Sequence, residues 1–201
     1  MERAGITWQE RVKSTNSEAG THISDYDNLS IIAAHCQDAG RGQGDHRWYA
    51  TPGRNLTFTI VLKPSDFPAS DALYLTRITT LALLSYLSAK GIEARIKWPN
   101  DIWVGDRKIC GILIENTLDG PTVKWSLIGI GLNVNERDWP EDLPNPVSMY
   151  ELTGREYDLE TELEAFHKEF CRFAKMYSSE NGKNYLTREF ELKVFRLPEA
   201  L

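Results

Sequence analysis

Residues 37–48 (QDAGRGQGDHRW) combine glycines with positive charge in a chain whose net charge is −6. Glycines let backbone N–H groups approach an anion closely, and Arg41, His46 and Arg47 add positive charge nearby. Trp48 adds a flat face on which a nucleotide base could stack. The pattern favours a loop that binds phosphate or carboxylate. On composition alone, a solvated surface loop is an equal alternative.

A second group of reactive side chains lies in KWPND (residues 97–101) and RKICGILIE (residues 107–115). Pro99 restricts the backbone and holds Asp101 at the end of a strand. The turn at residues 105–107 predicts a hairpin that returns Lys108 to the neighbourhood of Asp101. Such a pair is most often a structural ion pair. It is also the acid–base and electrophilic pair that activation of an acyl group by a nucleotide requires.

A third feature is GIGLNVN at residues 129–135. Glycines at alternate positions of a strand leave one face bare, so a flat ligand or another backbone can approach closely. Close packing within a sheet explains the same pattern equally well. Alone, this motif does not identify a site.

The elements that must position these residues follow from periodicity. Alternating or continuous apolar runs predict strands at residues 31–37, 55–63, 92–97, 102–104, 109–115 and 123–133. Helices are expected to begin near Ser14, to run from an N-cap at Ser70 towards Gly91, and to cover residues 159–177. Residues 40–53 read as a long loop, mobile until it closes over an anionic ligand. The mixture of hairpins and helices predicts an α+β fold with a mixed, largely antiparallel sheet packed with helices.

Composition excludes several classes of function. The chain has 201 residues and a net charge of −6, so no general affinity for nucleic acid or anionic membranes is expected. Its apolar runs are too short to predict a transmembrane span. The three cysteines lack CxxC spacing, so a disulfide framework or a protein-bound metal site is not expected. This cysteine usage and the absence of a signal peptide predict a cytoplasmic location.

With all three motifs present in order, the chain resembles the biotin–protein ligase family. The family's hallmarks are a GRG loop preceded by Gln, a KWPND stretch, an RK-x-x-GIL strand and a G-x-G-x-N strand, and KWPND is the most specific. The resemblance runs from Ser14-Thr15-Asn16 to about Asn135. It implies a class II synthetase-like biotin/lipoate ligase catalytic domain at residues 1–183. Residues 184–201 are then expected to be a stub or linker towards a small β-barrel that relatives carry and this chain lacks.

The resemblance also implies a reaction. ATP, with Mg²⁺, would activate biotin as biotinyl-5'-AMP, and the biotin would then pass to a lysine of a biotin carboxyl carrier protein. A lipoate or octanoate ligase of the same fold, or a non-catalytic biotin- or adenylate-sensing protein, are the alternatives. No DNA-binding segment precedes Ser14, so no nucleic-acid partner is expected. A homodimer is left open.

The family's functional residues are assigned here only to positions that match its motifs. The expected catalytic residues are Lys108, Asp101 and Arg41, with Asp101 acting on the carrier lysine. Biotin-binding residues are expected to be Ser14, Thr15, Asn16, Gln37, Arg41, Gly42, Gln43, Lys108 and Gly111. Nucleotide-binding residues are expected to be Arg41, His46, Arg47, Trp48, Lys97 and Asn133.

The chain departs from the family's loop at its tip. Gln43 stands where many relatives have a basic residue, and Asp45-His46 replaces a more basic ending. Less positive charge predicts weaker retention of the adenylate. At the C-terminus, Phe190, Leu192 and Val194 alternate with charged residues, which predicts an edge strand.

Overall fold

A single mixed sheet organises the chain. The computed structural model describes residues 5–195. Its strands are β1 (Ile6–Val12), β2 (Ser30–Gln37), β3 (Leu56–Leu62), β4 (Arg95–Lys97), β5 (Asp101–Val104), β6 (Arg107–Asp119), β7 (Thr122–Leu132) and β8 (Val194–Phe195). They form one eight-stranded sheet in the order β1-β2-β3-β7-β6-β5-β4-β8. Only the β1–β2 and β4–β8 pairs in this sheet are parallel. The predicted α+β fold with a largely antiparallel sheet is confirmed.

Within residues 5–195, five α-helices accompany the sheet: α1 (Thr15–Thr21), α2 (Leu73–Ser88), α3 (Met149–Thr153), α4 (Leu159–Met176) and α5 (Glu180–Lys193). Helices α2, α4 and α5 share one large apolar core with the sheet. Helix α1 instead packs through Ala19 against Ile32 and Leu127, in a smaller cluster of its own. The polar loop at residues 38–55 contains no helix or strand, in agreement with the sequence pattern.

Successive side chains of the central strands point to opposite faces of the sheet, and the two faces have different surroundings. On β3, Phe58 belongs to the large core, whereas the Thr59 hydroxyl meets α1. On β7, Ile130 belongs to the same core, whereas Gly129 and Gly131 lie against side chains of α1 and the loop. Because side chains alternate in a strand, the bare glycine positions open on the face that α2, α4 and α5 do not cover.

Helix α4 closes the core as its periodicity predicted. Leu163, Phe166 and Phe170 are buried on one face. The Asp158 side chain accepts a hydrogen bond from the Thr161 backbone at the first turn, which satisfies one of the free N–H groups there. Full burial of each such apolar side chain contributes about 1.5–3 kcal/mol.

Strand β1 and the starts of β4 and α2 differ from the sequence prediction. Strand β4 begins at Arg95 and not at residue 92. Strand β1 was not predicted, because the polar run ITWQERV has only a weak apolar alternation. The expected N-cap at Ser70 is wrong: α2 begins at Leu73, and Ser70 lies in a 3₁₀ turn at Ala69–Asp71. The N–H groups at this end are satisfied by backbone carbonyls, since Ala72 N donates to Ala69 O and Leu75 N to Ala72 O.

The predicted C-terminal edge strand is also wrong. Residues 180–193 form helix α5, and only Val194–Phe195 forms a strand, paired with β4. Leu186 and Phe190 are buried in the large core, four residues apart, as helical packing requires. The proposed boundary at residue 183 therefore falls inside a helix that packs on the domain. Residues 196–201 lie outside the described part of the chain.

A helix and a strand at the C-terminal segment predict different losses in the free energy of unfolding for substitutions of Phe190 and Leu192. In a strand, Phe190 and Leu192 share a face. In α5, Phe190 is 4% exposed and Leu192 is 68% exposed. We expect Phe190→Ala to lower the free energy of unfolding by about 3–5 kcal/mol. Leu192→Ala, its matched control, should change it by less than about 0.5 kcal/mol. Urea unfolding measures both, and equal losses would contradict the helix.

Candidate active site

A cavity of about 270 Å³ opens on the glycine side of the sheet. It lies between the start of α1, the glycine-rich loop and the strands β5, β6 and β7. The structure brings almost every predicted site residue to its wall: Ser14, Thr15, Asn16, Gln37, Arg41, Gly42, Gln43, His46, Arg47, Trp48, Lys97, Asp101, Lys108 and Gly111. Only Asn133 lies outside it. Leu113, which was not among the expected site residues, also lines the cavity, as does Gly129 of the GIGLNVN motif.

One corner of the cavity is polar and uncharged. The Thr15 backbone N–H donates to Gln37 Oε1 at 2.8 Å. The Thr59 hydroxyl lies 2.5 Å from Asn16 Oδ1 and 2.8 Å from Thr15 Oγ1. Thr15, Asn16 and Thr59 are buried. Buried neutral donors and acceptors of this kind suit a ligand head group that is polar but uncharged.

The glycines of β7 make room for this corner. A Cβ at Gly129 would lie 2.4 Å from Asn16 Oδ1, and a Cβ at Gly131 would lie 2.2 Å from Trp48 Cε2. Both distances are far inside van der Waals contact. The bare strand face predicted from the sequence is therefore occupied by two side chains of this chain, the Asn16 amide and the Trp48 indole. The indole also covers Gly111, where a Cβ would lie 2.9 Å from the ring.

The glycine-rich loop is a short hairpin that folds over the cavity. Trp48 N donates to Gly40 O at 2.9 Å, and Gly42 N donates to His46 O at 2.7 Å. Gly40 permits this approach, because a Cβ there would lie 2.6 Å from the Trp48 carbonyl oxygen. The hairpin thus places Trp48 on the sheet and leaves its tip, with Gln43, exposed over the cavity.

A buried carboxylate fastens the base of this loop. The Glu136 side chain accepts hydrogen bonds from Thr51 N at 3.0 Å and from Asn55 Nδ2 at 2.7 Å. Glu136 is fully buried, just beyond the end of β7. Sequence reasoning missed it. The only indication was an acidic residue directly after the GIGLNVN motif.

Lys108 and Asp101 meet at the centre of the site. The Lys108 ammonium Nζ lies 2.8 Å from Asp101 Oδ1, across the β5–β6 hairpin. The side chains are 32% and 19% exposed, so the pair faces the cavity and is not sealed in the core. The same ammonium lies 5.7 Å from the centroid of the Trp48 ring. The predicted proximity of the two residues is confirmed.

Lys97, expected at the nucleotide, lies on the cavity wall with its ammonium over another aromatic ring. Its Nζ is 4.5 Å from the centroid of Trp103. The contact is a cation–π interaction that orients the lysine stem along β4 and β5. Arg41 is also held by this chain, because its guanidinium donates to Glu115 through both terminal nitrogens.

A second cavity adjoins the first beyond Trp48. It is lined by His46, Arg47, Trp48, Tyr49, Lys108, Asn133, Trp139, Leu143, Pro144 and Pro146. Asn133 Nδ2 donates to Val147 O at 3.0 Å and to Lys108 O at 3.4 Å. Its buried Oδ1 has no hydrogen-bond partner within residues 5–195. Lys108 is therefore shared by both cavities, and Asn133 braces its backbone.

Cys110 lies beside this centre but does not take part in it. It is buried, and burial raises the pKa of its thiol far above the usual range. The thiol is therefore unreactive at neutral pH. In the part of the chain that the structure describes, no group of three His, Cys, Asp or Glu side chains is placed to hold a metal ion. No helix among the same residues is long and apolar enough to span a bilayer.

The geometry therefore joins three chemistries in one continuous site: a neutral polar corner, a cation and carboxylate at the centre, and an aromatic cavity beyond. A ligand with a neutral head group and an acidic tail fits the first two. A stacked base with phosphates fits the second and third. Such an arrangement brings a carboxylate and a nucleotide phosphate together at Lys108.

Comparison with known proteins agrees with this chemistry. The family model described as the biotin/lipoate A/B protein ligase family matches residues 8–135. The bifunctional ligase/repressor BirA of Bacillus subtilis is 32% identical over 165 residues, which cover 80% of this chain and 48% of that protein. The chain thus spans about half the length of this relative. The biotin–[acetyl-CoA-carboxylase] ligase of Paracoccus denitrificans is 35% identical over 171 residues, covering 81% of this chain and 70% of that protein.

The fold agrees as well. A biotin protein ligase from Aquifex aeolicus, solved in complex with biotin and ATP, superposes with a TM-score of 0.82 at 25% identity. The superposition covers 95% of this chain and 78% of that one. Since the family match covers well over half of the chain and the Paracoccus relative is matched over 70% of its length, the chain belongs to the biotin/lipoate A/B protein ligase family, among its biotin–protein ligases.

Proposed function

We propose that this chain activates biotin with ATP and transfers it to a lysine of a biotin carboxyl carrier protein. The observation that carries the proposal is the Lys108–Asp101 pair, which lies where the polar corner and the aromatic cavity meet. The ring of biotin is polar and uncharged, its tail is apolar and its carboxylate is anionic. The polar corner suits the ring, the side chains of Leu113 and Trp48 in the cavity wall suit the tail, and the Lys108 ammonium suits the carboxylate.

In the first half-reaction a carboxylate oxygen of biotin attacks the α-phosphorus of ATP, and the bond from that phosphorus to pyrophosphate breaks. Negative charge accumulates on the α-phosphate oxygens in the transition state. The Lys108 ammonium, braced through its backbone by Asn133, is a preorganised cation at that position. Trp48 and the second cavity receive the adenine.

Mg²⁺ arrives with ATP as part of the nucleotide substrate. Its preferred ligands are oxygens, and phosphate oxygens with water supply most of them. This fits a site whose described residues contain no cluster of metal-ligating side chains. Within the chain, Asn133 was expected to hold the phosphates or the metal, and its Oδ1 is the proposed contact for the ion. This amide oxygen can bind a cation but cannot donate to a phosphate, and it is buried in the second cavity without a hydrogen-bond partner among the described residues.

In the second half-reaction the amine of the carrier lysine attacks the acyl carbon of the adenylate, and AMP leaves. The amine must lose a proton as the amide forms. Asp101 lies at the cavity wall and is partly exposed, so its carboxylate is proposed to orient the incoming amine and to accept that proton. Its present partner, Lys108, would then be engaged by the adenylate phosphate.

The polar corner argues against a lipoate or octanoate substrate. An aliphatic head group would gain no hydrogen bond from the polar side chains of Asn16 and Thr15 in this corner, whereas the ring of biotin offers donors and acceptors to them. ATP–pyrophosphate exchange distinguishes the proposed function from the two alternatives, a lipoate or octanoate ligase and a sensor. Exchange with biotin supports the proposal, exchange only with lipoate or octanoate supports the second substrate class, and binding of biotin without exchange supports a sensor.

The remaining expectations stay predictions. The three cysteines are free, which suits the reducing cytoplasm where we propose the protein acts. The lack of a nucleic-acid partner is predicted from the sequence alone, which left a homodimer open. Weaker retention of the adenylate, because of Gln43 and Asp45, is likewise a prediction.

Lys108→Ala should lower the rate of pyrophosphate exchange by about a hundredfold or more, because a cation aimed at developing phosphate charge is lost. The matched control is Lys124→Ala, which removes an exposed lysine of β7 that stacks on Trp125. The control should keep its exchange rate. A Lys108→Ala protein within threefold of wild type would remove Lys108 from the mechanism.

Asp101→Asn should slow transfer more than adenylation, because the carboxylate is proposed to act on the acceptor amine. Single-turnover transfer from preformed biotinyl-5'-AMP to the carrier should fall by about tenfold to a hundredfold or more beyond any loss in exchange. Asp106→Asn, at the exposed turn of the same hairpin, is the control. Equal losses in both half-reactions would place Asp101 at the nucleotide instead.

Gly131→Ala should displace the Trp48 indole, since the new Cβ would lie 2.2 Å from Cε2. We expect weaker ATP binding, by about tenfold, because stacking on an aromatic face contributes roughly 1–3 kcal/mol. Gly5→Ala, whose Cβ would meet no atom within 4 Å, is the control. Isothermal titration measures both, and unchanged affinity in Gly131→Ala would show that Trp48 is not the adenine platform.

A further inference from the structure

Glu115 joins the two halves of the site, although neither the motif nor the proposed mechanism gives it a role. It lies on β6, four residues after Gly111, on the same face of the strand. Its Oε2 accepts a hydrogen bond from Asn16 Nδ2 at 2.8 Å. Its two oxygens also accept from Arg41, at 2.9 Å from Nη1 and 2.7 Å from Nη2. One carboxylate therefore contacts both α1 and the glycine-rich loop.

The contact with Asn16 determines which way that amide points. An amide can be turned over so that its oxygen and nitrogen exchange places, and its partners decide between the two orientations. Glu115 and the Leu113 carbonyl are acceptors only, so Nδ2 must face them. Oδ1 is thereby directed to Thr59 and the bare surface at Gly129. The carboxylate thus fixes the polarity of the neutral corner.

The contact with Arg41 determines where the loop sits. The guanidinium binds the carboxylate through two parallel N–H···O bonds, the geometry in which an Arg–carboxylate pair is strongest and most directional. Both side chains are partly exposed, 43% for Arg41 and 38% for Glu115, so the pair contributes little to overall stability. Its effect is to hold the base of the loop hairpin against β6.

We infer that Glu115 is a positioning residue that makes the biotin ring corner and the glycine-rich loop form as one unit. It fixes the orientation of the Asn16 amide and binds the Arg41 guanidinium. Through this ion pair, Arg41 holds the glycine-rich loop against β6. The inference rests on the proposed function, because it takes the cavity at Asn16 as the ring site. It replaces the expected role of the Arg41 side chain as a direct contact to the carboxylate and phosphate.

The first test is Glu115→Gln. A glutamine keeps the size of the side chain but exchanges one oxygen for an NH2 group. In the place of Oε1, that NH2 faces Arg41 Nη1. In the place of Oε2, it faces both Asn16 Nδ2 and Arg41 Nη2, so at least one donor loses its acceptor in either orientation. We expect the KM for biotin in pyrophosphate exchange to rise about tenfold, while kcat at saturating biotin stays within threefold. General damage to the fold would lower kcat as well.

Glu169→Gln is the matched control. Glu169 forms a comparable exposed pair with Arg172 at 2.7 Å on α4, remote from the site. It should leave both constants unchanged. If Glu115→Gln does not fold, Arg41→Lys replaces it, since it keeps the charge at an exposed position and loses the paired geometry. This variant should also raise the KM for biotin, and an unchanged KM would overturn the inference.

A double-variant cycle separates the two roles of Arg41. If Arg41 acts through Glu115, adding Arg41→Gln to Glu115→Gln should change biotin affinity, measured by calorimetry without ATP, by less than twofold. If Arg41 contacts the ligand independently, the two losses multiply, and the inference fails. A wild-type protein that binds biotin while Glu115→Gln binds it equally well overturns the inference alone. A wild-type protein that does not bind biotin overturns the proposed function and the inference with it.

Discussion

The site depends on two positions of β7 that carry no side chain. Gly129 leaves room for the Asn16 amide, and Gly131 leaves room for the Trp48 indole. Their alternate spacing directs both gaps to the same face, between buried residues that point into the helical core. A shift of β7 by one residue would place Ile128 and Ile130, or Ile130 and Leu132, at these positions and close the site. The strand register of the antiparallel sheet therefore determines whether the ligand cavity is open.

The acidic chain keeps its positive charges local by pairing them. Lys108 lies on Asp101, and Arg41 on Glu115, within hydrogen-bond distance in each case. Partly exposed pairs of this kind add little to the free energy of unfolding, because solvent screens them and ordering long side chains costs entropy. Their contribution is to fix the positions of the two cations. Asp101 holds Lys108 at the edge of the cavity, where an anionic ligand group can compete for the ammonium, and Glu115 holds Arg41 against β6.

Periodicity predicted the fold class and six of the strands, and the family resemblance named 15 site residues, of which 14 line one cavity. Features that depend on tertiary contacts could not be predicted from the sequence. The alternation at Phe190 and Leu192 looks like a strand, but burial of Leu186 and Phe190 against α2 and α4 selects the helix. Glu115 stood in a recognised motif, yet its role depends on partners far away in the sequence.

That distance has a consequence for how the protein is made. Asn16 and Glu115 are 99 positions apart in the sequence, and Arg41 and Glu115 are 74 apart. An emerging chain that ends before β7 already contains α1, the loop and the KWPND hairpin, but not the bare strand on which Asn16 and Trp48 rest. Because long-range pairing forms late, the biotin site proposed above would not exist on the ribosome until the middle of the sheet is complete. A ligand bound there would stabilise only a finished sheet, never a partly synthesised one.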